Sequence, residues 1–386
     1  MVWKIKEFRM KILFLATYGD FLATFEHSNV ELLLNLGYEV HCAADFETPE
    51  YNLKTKALDQ LGVIRHQVKF SRSPVDPANL FSMKRLIQLI REEKFDVLDC
   101  HNAVISVFGR IAAKLCKVSF VVYTAHGFFF YRGSSLKKQV LFKPIEFLLA
   151  KWTDLLITIN LEDFRASQRM HPRGTAVYVP GIGIDTRAIS NLPSNRSKYL
   201  TEFGLPNDSS LFLMVGELIP RKNQESAIRA FARARMNHAY LLICGIGQER
   251  DHYQKLIHEL DMDSQIFLLG YRLDAKELMK SVDIFVFPSI QEGLPVALME
   301  AMASGLPCIA SNIRGNTDLI DDRLGGWTFE PHDVDQLSKL MKEARECDFE
   351  KIANYNQNKI LTFDISNVRS IMNNQYKHIE MELKSK

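Results

Sequence analysis

The chain has no long hydrophobic run, no clustered cysteines and almost no net charge. None of its apolar stretches approaches the roughly 20 residues that cross a bilayer. The cysteines (Cys42, Cys100, Cys116, Cys244, Cys308 and Cys347) are scattered through mostly apolar contexts, without CxxC or metal-ligand spacing. They read as reduced core residues of a cytoplasmic protein, not as a disulfide framework. A formal charge of +2 over 386 residues gives no reason to expect a polyelectrolyte partner, so nucleic acid is not expected. Solenoid repeats and low-complexity tracts are also missing. Lys4, Lys6, Arg9 and Lys11 ahead of Ile12-Leu-Phe-Leu-Ala16 imitate a signal peptide, but the apolar run is too short and Asp20 interrupts it. Residues 1–9 are expected to be a disordered extension, with the domain proper starting near Met10.

What is present is enough apolar sequence for two or three domains. Short apolar runs alternate with helical patterns. Expected strands are Ile12–Ala16, Glu39–Ala43, Val63–Val68, Val97–Cys100, Phe120–Tyr123, Leu155–Ile159 and Ala176–Tyr178, with helical patterns such as Met83–Glu93 between them. A second series follows: Leu211–Val215, Tyr240–Cys244, Gln265–Leu269, Ile284–Phe287 and Pro307–Ala310. Such alternation means an α/β fold of parallel sheets covered by helices on both faces. The expected organisation is a first Rossmann-like domain over 10–188, a polar linker over 189–210 with a short helix around Lys198–Phe203, a second over 211–364, and a C-terminal helix over 365–386.

The most informative stretch is Glu292-Gly-Leu-Pro-Val-Ala-Leu-Met-Glu300, continuing as Ala-Met-Ala-Ser-Gly305-Leu-Pro307. Asp283-Ile-Phe-Val-Phe-Pro288 before it reads as a buried strand and Cys308-Ile-Ala-Ser311 after it as the next, so the unit is a βαβ crossover. Glu292 then lies at the carboxyl end of a parallel strand, where open α/β sheets bind ligands. The free N–H groups of the adjacent helix start suit a phosphate-bearing ligand. The bland alternative is that both glutamates are solvated helix-end acids.

This stretch closely resembles the donor-binding signature of retaining glycosyltransferases of family four, whose GT-B fold has two Rossmann-like domains facing a central cleft and a C-terminal helix that crosses back to the N-terminal domain. The resemblance implies Glu292 near the donor sugar, beside Gly293, Leu294 and Pro295, and Glu300 on the ribose hydroxyls. Eight residues of helix span about 12 Å, too far for the paired carboxylates of a retaining glycosidase, so separate roles fit better.

Other segments are read beside that resemblance. Gly216-Glu-Leu-Ile-Pro-Arg221-Lys222 follows a clean strand and opens a helix. Cations there are suited to neutralise a diphosphate leaving group. Lys222 matches the family's lysine, while Glu217 replaces its usual arginine and Arg221 is a candidate substitute. Gly245-Ile-Gly247 is a turn near the nucleotide, lacking the third glycine of a dinucleotide fingerprint because Arg250 stands there. Gly270-Tyr271-Arg272 ends a strand at the expected nucleobase position. His126, after the strand Phe120–Tyr123, is a candidate for sugar hydroxyls, with Phe129 replacing the family's second histidine and His101 a weaker candidate. Gly19, after the first strand, fits a loop facing donor or acceptor. Arg132, Lys137, Lys138, Lys143 and Lys151, interleaved with aromatics, suit an anionic membrane surface, a core helix kinked by Pro144, or both. Asp261-Met-Asp263 and Asp333-Val-Asp335 read as surface acids and caps rather than metal ligands.

The first half, through Phe70-Ser-Arg-Ser-Pro74, the His126 motif and Tyr178-Val-Pro-Gly-Ile-Gly-Ile-Asp185, is most similar to bacterial enzymes of capsule, exopolysaccharide and O-antigen synthesis. The reaction implied is transfer of a HexNAc or hexose from a UDP-sugar, with retention, to a saccharide on undecaprenyl diphosphate. The family expectation is a front-face mechanism in which the departing phosphate takes the acceptor proton. The nucleotide sugar is a substrate, and neither cofactor nor essential metal is expected. The expected location is the cytoplasm, peripheral on the inner face of the cell membrane. A UDP-sugar epimerase of the same fold and a non-catalytic nucleotide-sugar-binding subunit are the alternatives.

Overall fold

Leucine, valine, isoleucine and phenylalanine predominate in the short runs because a strand buried on both faces needs apolar side chains in both directions. The computed structural model describes residues 9–49 and 52–385. The expected N-terminal disorder falls on residues 1–8, outside the described residues. The chain divides into two units, the first made of residues up to Ile182 with the segment from Ser366, the second of Gly183–Ile365.

The first unit carries β1 (Lys11–Tyr18), β2 (Glu39–Asp45), β3 (Ile64–Gln67), β4 (Val97–His101), β5 (Phe120–Ala125), β6 (Leu155–Thr158) and β7 (Thr175–Tyr178). They form one parallel sheet in the order β3-β2-β1-β4-β5-β6-β7. Successive side chains of a strand point to opposite faces. Ile12 and Phe14 therefore join one core with Val97, Val122 and Ile157, while Leu13 and Leu15 join the other with Leu86, Ile90 and Tyr123. The last helix, Ile365–Ser385, closes the first of these cores with Val368, Met372, Tyr376 and Ile379. Those four repeat at helical spacing, so they form one stripe. Burial of Val368, Met372 and Ile379 contributes about 1.5–3 kcal/mol each.

The second unit carries β8 (Ser210–Val215), β9 (Ala239–Cys244), β10 (Ile266–Gly270), β11 (Ile284–Phe287), β12 (Cys308–Ser311) and β13 (Gly326–Phe329). Its parallel sheet has the order β10-β9-β8-β11-β12-β13. In both sheets the order reverses beside the first strand, between β1 and β4 and between β8 and β11. Crevices for ligands open at the carboxyl ends of strands at such switch points.

Two expectations need correction. Residues 189–210, read as a linker, belong to the second unit; the short helix expected within them is present as Arg196–Glu202. Arg196 anchors them, its guanidinium donating to both carboxylate oxygens of Asp283 at 3.0 and 3.1 Å. Polar composition here marks a charge-tied surface helix. The edge strand β13 was missed because Gly325-Gly-Trp-Thr-Phe329 offers only a short, glycine-led run, yet it pairs with β12 from Cys308 to Ser311.

Candidate functional site

At the switch point of the second unit, β8 exits through Gly216 into the short 3₁₀ turn Pro220–Lys222. β11 exits through Pro288 toward Glu292. Lys222 Nζ donates to Glu292 Oε1 at 2.8 Å, and an Arg221 nitrogen donates to the same oxygen at 2.8 Å. Arg221 also donates to the Gln291 carbonyl, and Lys222 Nζ lies 5.0 Å from the centre of the Phe287 ring. The two cations and one carboxylate leave a local excess of positive charge. Burial pushes the Glu292 carboxyl up, but Lys222 and Arg221 outweigh it and hold it below the usual carboxylate range.

The loops around this cluster meet backbone to backbone. A Cβ on Gly245 would collide with the Gly216 carbonyl, so the turn after β9 packs directly on the exit of β8. A Cβ on Gly315 would likewise strike the carbonyl of Gly293, and Gly315 has φ of 82°. Within Glu292–Pro295, Leu294 is buried, so its side chain props the turn from inside. Pro295 stands at the start of the helix Val296–Ala303, on which Glu300 sits, and Lys276 Nζ lies 3.0 Å from Glu300 Oε1.

Arg314 was not singled out from the sequence. It is buried after β12, and its Nε donates to the Glu292 carbonyl at 3.1 Å. The available signal was its position, a cation just past the carboxyl end of the next strand.

At the end of β10, Tyr271 is largely exposed. The Arg272 guanidinium donates to Asp274 and, at 2.6 Å, to Glu202, and lies near the Tyr199 and Phe203 rings. Its side chain therefore pins the helix Arg196–Glu202 to β10, leaving backbone groups for any nucleobase contact. Asp333 caps the helix Val334–Ala344, its carboxylate accepting from Gln336 N, and Asp263 pairs with His258.

The first unit gathers a different cluster at its switch point. His101 ends β4, His126 follows β5, and Glu26 ends a single π-helical turn, Leu22–Glu26, beyond β1. Such turns recur at functional sites. Glu26 Oε1 lies 3.4 Å from His101 Nδ1 and 3.3 Å from His126 Nε2, and the two ring nitrogens are 3.3 Å apart. Asp99 Oδ1 stands 3.4 Å from His101 Nε2, and Asn29 donates to Glu26 Oε2 at 2.8 Å. His101 and Glu26 are buried, while the His126 side chain is 16% exposed. Burial pulls the His101 imidazole down to about 4 and pushes the Asp99 carboxyl well up, with the Glu26 charge adding to the second shift.

Gly19 directly follows β1, but in a helical segment rather than a loop. It begins the helical segment after β1, and a Cβ there would meet Phe46, Asn52 and Thr55. Its glycine is required by packing within the first unit. The Phe129 ring, in the family's second histidine position, packs on Phe142 at 4.7 Å.

The basic segment forms the helix Leu136–Ala150, with Pro144 inside it. Its one acid, Glu146, points inward and accepts from Arg110 at 2.7 Å in a buried pair. Outward it presents Leu136, Val140, Leu141 and Leu148, each more than half exposed, among its lysines.

Comparison with known proteins gives this geometry a family. Residues 195–361 match the model described as glycosyl transferases group 1, and residues 11–160 match the one described as glycosyl transferase 4-like. A Bacillus subtilis protein named as a glycosyltransferase, EpsD, is 31% identical over 339 residues, covering 86% of this chain and 87% of its own. The Escherichia coli enzyme named UDP-Gal:α-D-GlcNAc-diphosphoundecaprenol α-1,3-galactosyltransferase is 32% identical over 291 residues, covering 72% of this chain and 74% of its own. Among solved structures, Anabaena HepE in complex with UDP has a TM-score of 0.77 at 20% identity, covering 96% of this chain and 100% of that one. The chain belongs to the group 1, family-four glycosyltransferases and has their GT-B fold.

Proposed function

We propose that this glycosyltransferase moves a hexose or N-acetylhexosamine from a UDP-sugar, with retention, to a saccharide carried on undecaprenyl diphosphate. The observation that carries the proposal is the convergence of Lys222 and Arg221 on Glu292 at 2.8 Å, at the switch point of the second unit. A diphosphate leaving group gains negative charge as the bond from the sugar's anomeric carbon to phosphate oxygen breaks. Two preformed cations beside it stabilise that charge without reorganising. The Glu292 carboxylate, with its backbone held by Arg314, orients both cations toward the donor.

In this reading Glu300 accepts from the ribose hydroxyls, and the turn at Gly245 and the backbone at Tyr271 border the nucleotide. His126 contacts a sugar hydroxyl. The acceptor oxygen bonds to the anomeric carbon on the face the diphosphate leaves, and its proton passes to the departing phosphate oxygen. The charge balance is met by the chain's own cations, so no essential metal is assigned to the reaction. The donor and diphosphoundecaprenol acceptor in the E. coli relative's name support this substrate class, as does the UDP bound to HepE.

The outward face of the helix Leu136–Ala150 supports a peripheral location on the inner membrane leaflet. Its exposed leucines and Val140 enter the headgroup region while Lys137 and Lys143 meet anionic lipid, each near-surface cation contributing about 1 kcal/mol. Flotation with phosphatidylglycerol vesicles, and its loss in Lys137→Glu/Lys143→Glu, tests that part.

The reaction is tested by screening nucleotide sugars for thermal stabilisation, because ligand affinity appears as added stability. The best donor is then incubated with a polyprenyl-diphosphate-linked acceptor. A glycosylated lipid with retained anomeric configuration is expected. Hydrolysis or epimerisation without acceptor, or binding with no turnover, would overturn the assignment.

A further inference from the structure

We propose that Glu26, His101 and His126 form a three-ligand site for a tetrahedral first-row divalent cation, zinc above all, with a fourth position open at the His126 edge. The argument is metric. Glu26 Oε1, His101 Nδ1 and His126 Nε2 make a nearly equilateral triangle with edges of 3.4, 3.3 and 3.3 Å. A tetrahedral zinc ion bound to nitrogen and oxygen at about 2.0–2.1 Å separates neighbouring ligand atoms by about 3.3–3.4 Å. Charge-assisted hydrogen bonds between the same groups close to about 2.7–2.9 Å. The triangle is wider than charge-assisted hydrogen bonds at their usual length, and it has the width of one face of a coordination tetrahedron.

The surroundings fit the same assignment. Metal-bound imidazoles commonly turn their other nitrogen to a carboxylate, which fixes the ring. Asp99 Oδ1 stands 3.4 Å from His101 Nε2, and the buried Asp99 Oδ2 and His101 Nε2 have no hydrogen-bond partner. Asn29 holds the far oxygen of Glu26 at 2.8 Å. Phe14 stacks on His101 with ring centres 5.4 Å apart, and Phe21 meets His126 edge-on at 4.8 Å, so apolar rings wall the site. One glutamate and two histidines with an open position is also a donor set used by zinc enzymes.

A second group, Glu39, His41 and Glu93, has comparable spacing among the described residues. There Lys11 Nζ already sits 3.0 Å from Glu39 and 3.1 Å from Glu93. An ammonium occupies the place a cation would take, so that group serves as a control.

A bound ion would take the His126 nitrogen that the proposed reaction gives to a sugar hydroxyl, so zinc is expected to act as a reversible inhibitor. That consequence rests on the role proposed for His126, whereas binding does not. The test uses the full chain, stripped with a chelator, and titrated calorimetrically with zinc and by visible absorption with cobalt. One ion per chain and the intense spectrum of four-coordinate cobalt are expected. His126→Ala, at the partly exposed edge where folding is least at risk, should abolish both, and Asp99→Asn should weaken zinc about 10- to 100-fold. Absence of stoichiometric binding, a six-coordinate cobalt spectrum, or full binding by His126→Ala overturns the site. Intact binding without inhibition would overturn the role of His126 and leave the site standing.

Discussion

The two sheets have the same strand logic and the same switch point, yet they gather opposite chemistries there. In the second unit, a carboxylate is surrounded by Lys222, Arg221 and a carbonyl-bound Arg314 and is held in its charged form. In the first, Glu26, His101 and Asp99 are buried without a lysine or arginine partner among the described residues, and burial drives Asp99 and His101 toward neutrality. One architecture can therefore present either a preformed positive field, suited to phosphate, or a buried carboxylate between two imidazoles, suited to hydroxyls or a metal ion. Side chains at the strand ends make the difference: Lys222, Arg221 and Glu292 follow β8 and β11, whereas Asp99 and His101 belong to the last residues of β4 itself.

The sharpest way to break this contrast is to remove the carboxylate that organises the charged cluster. Glu292→Ala is expected to lower kcat about 100- to 1000-fold, the usual effect of losing a preorganised electrostatic group, with the fold intact by circular dichroism. Next in size is Glu300→Gln, which should weaken UDP binding about tenfold by calorimetry while kcat stays near wild type, as for a group that binds ground and transition states alike.

The smallest expected effect is on acid stability. Because the Glu292 carboxyl is depressed in the fold, its stabilisation is fully present above the ordinary value of 4.5 and is lost as pH falls through the folded value below that. Wild type should thus lose melting temperature more steeply than Glu292→Gln in that window, and the gap between them should close. Parallel pH curves would mean that Lys222 and Arg221 do not hold this carboxylate.

Much of the second cluster was legible in the sequence because its determinants are local. Glu292, Gly293 and Pro295 lie within one turn of a βαβ crossover, and Lys222 follows a strand by a few residues. Arg314 was not legible, because a lone cation after β12 carries no pattern until the strand order brings it beside Glu292. The first cluster was harder still. His126 and His101 stood at strand ends, but Glu26 reaches them only through a π-helical turn and a sheet that joins residues about 100 positions apart in sequence. The packing around Gly19 was not legible, because space around a glycine cannot be read from its neighbours in sequence. Here that space is taken by Phe46, Asn52 and Thr55. The segment 189–210 was read as a linker from its polar residues, whereas the Arg196–Asp283 pair ties it to the second unit.

The central claim is that Lys222 stabilises a departing diphosphate. Its most direct test is turnover by Lys222→Ala with the donor that most raises the melting temperature and a polyprenyl-diphosphate-linked acceptor, beside UDP affinity measured on the same variant. The account predicts kcat lower by about 100-fold or more, with UDP still bound within about tenfold of wild type. Turnover equal to wild type would contradict it.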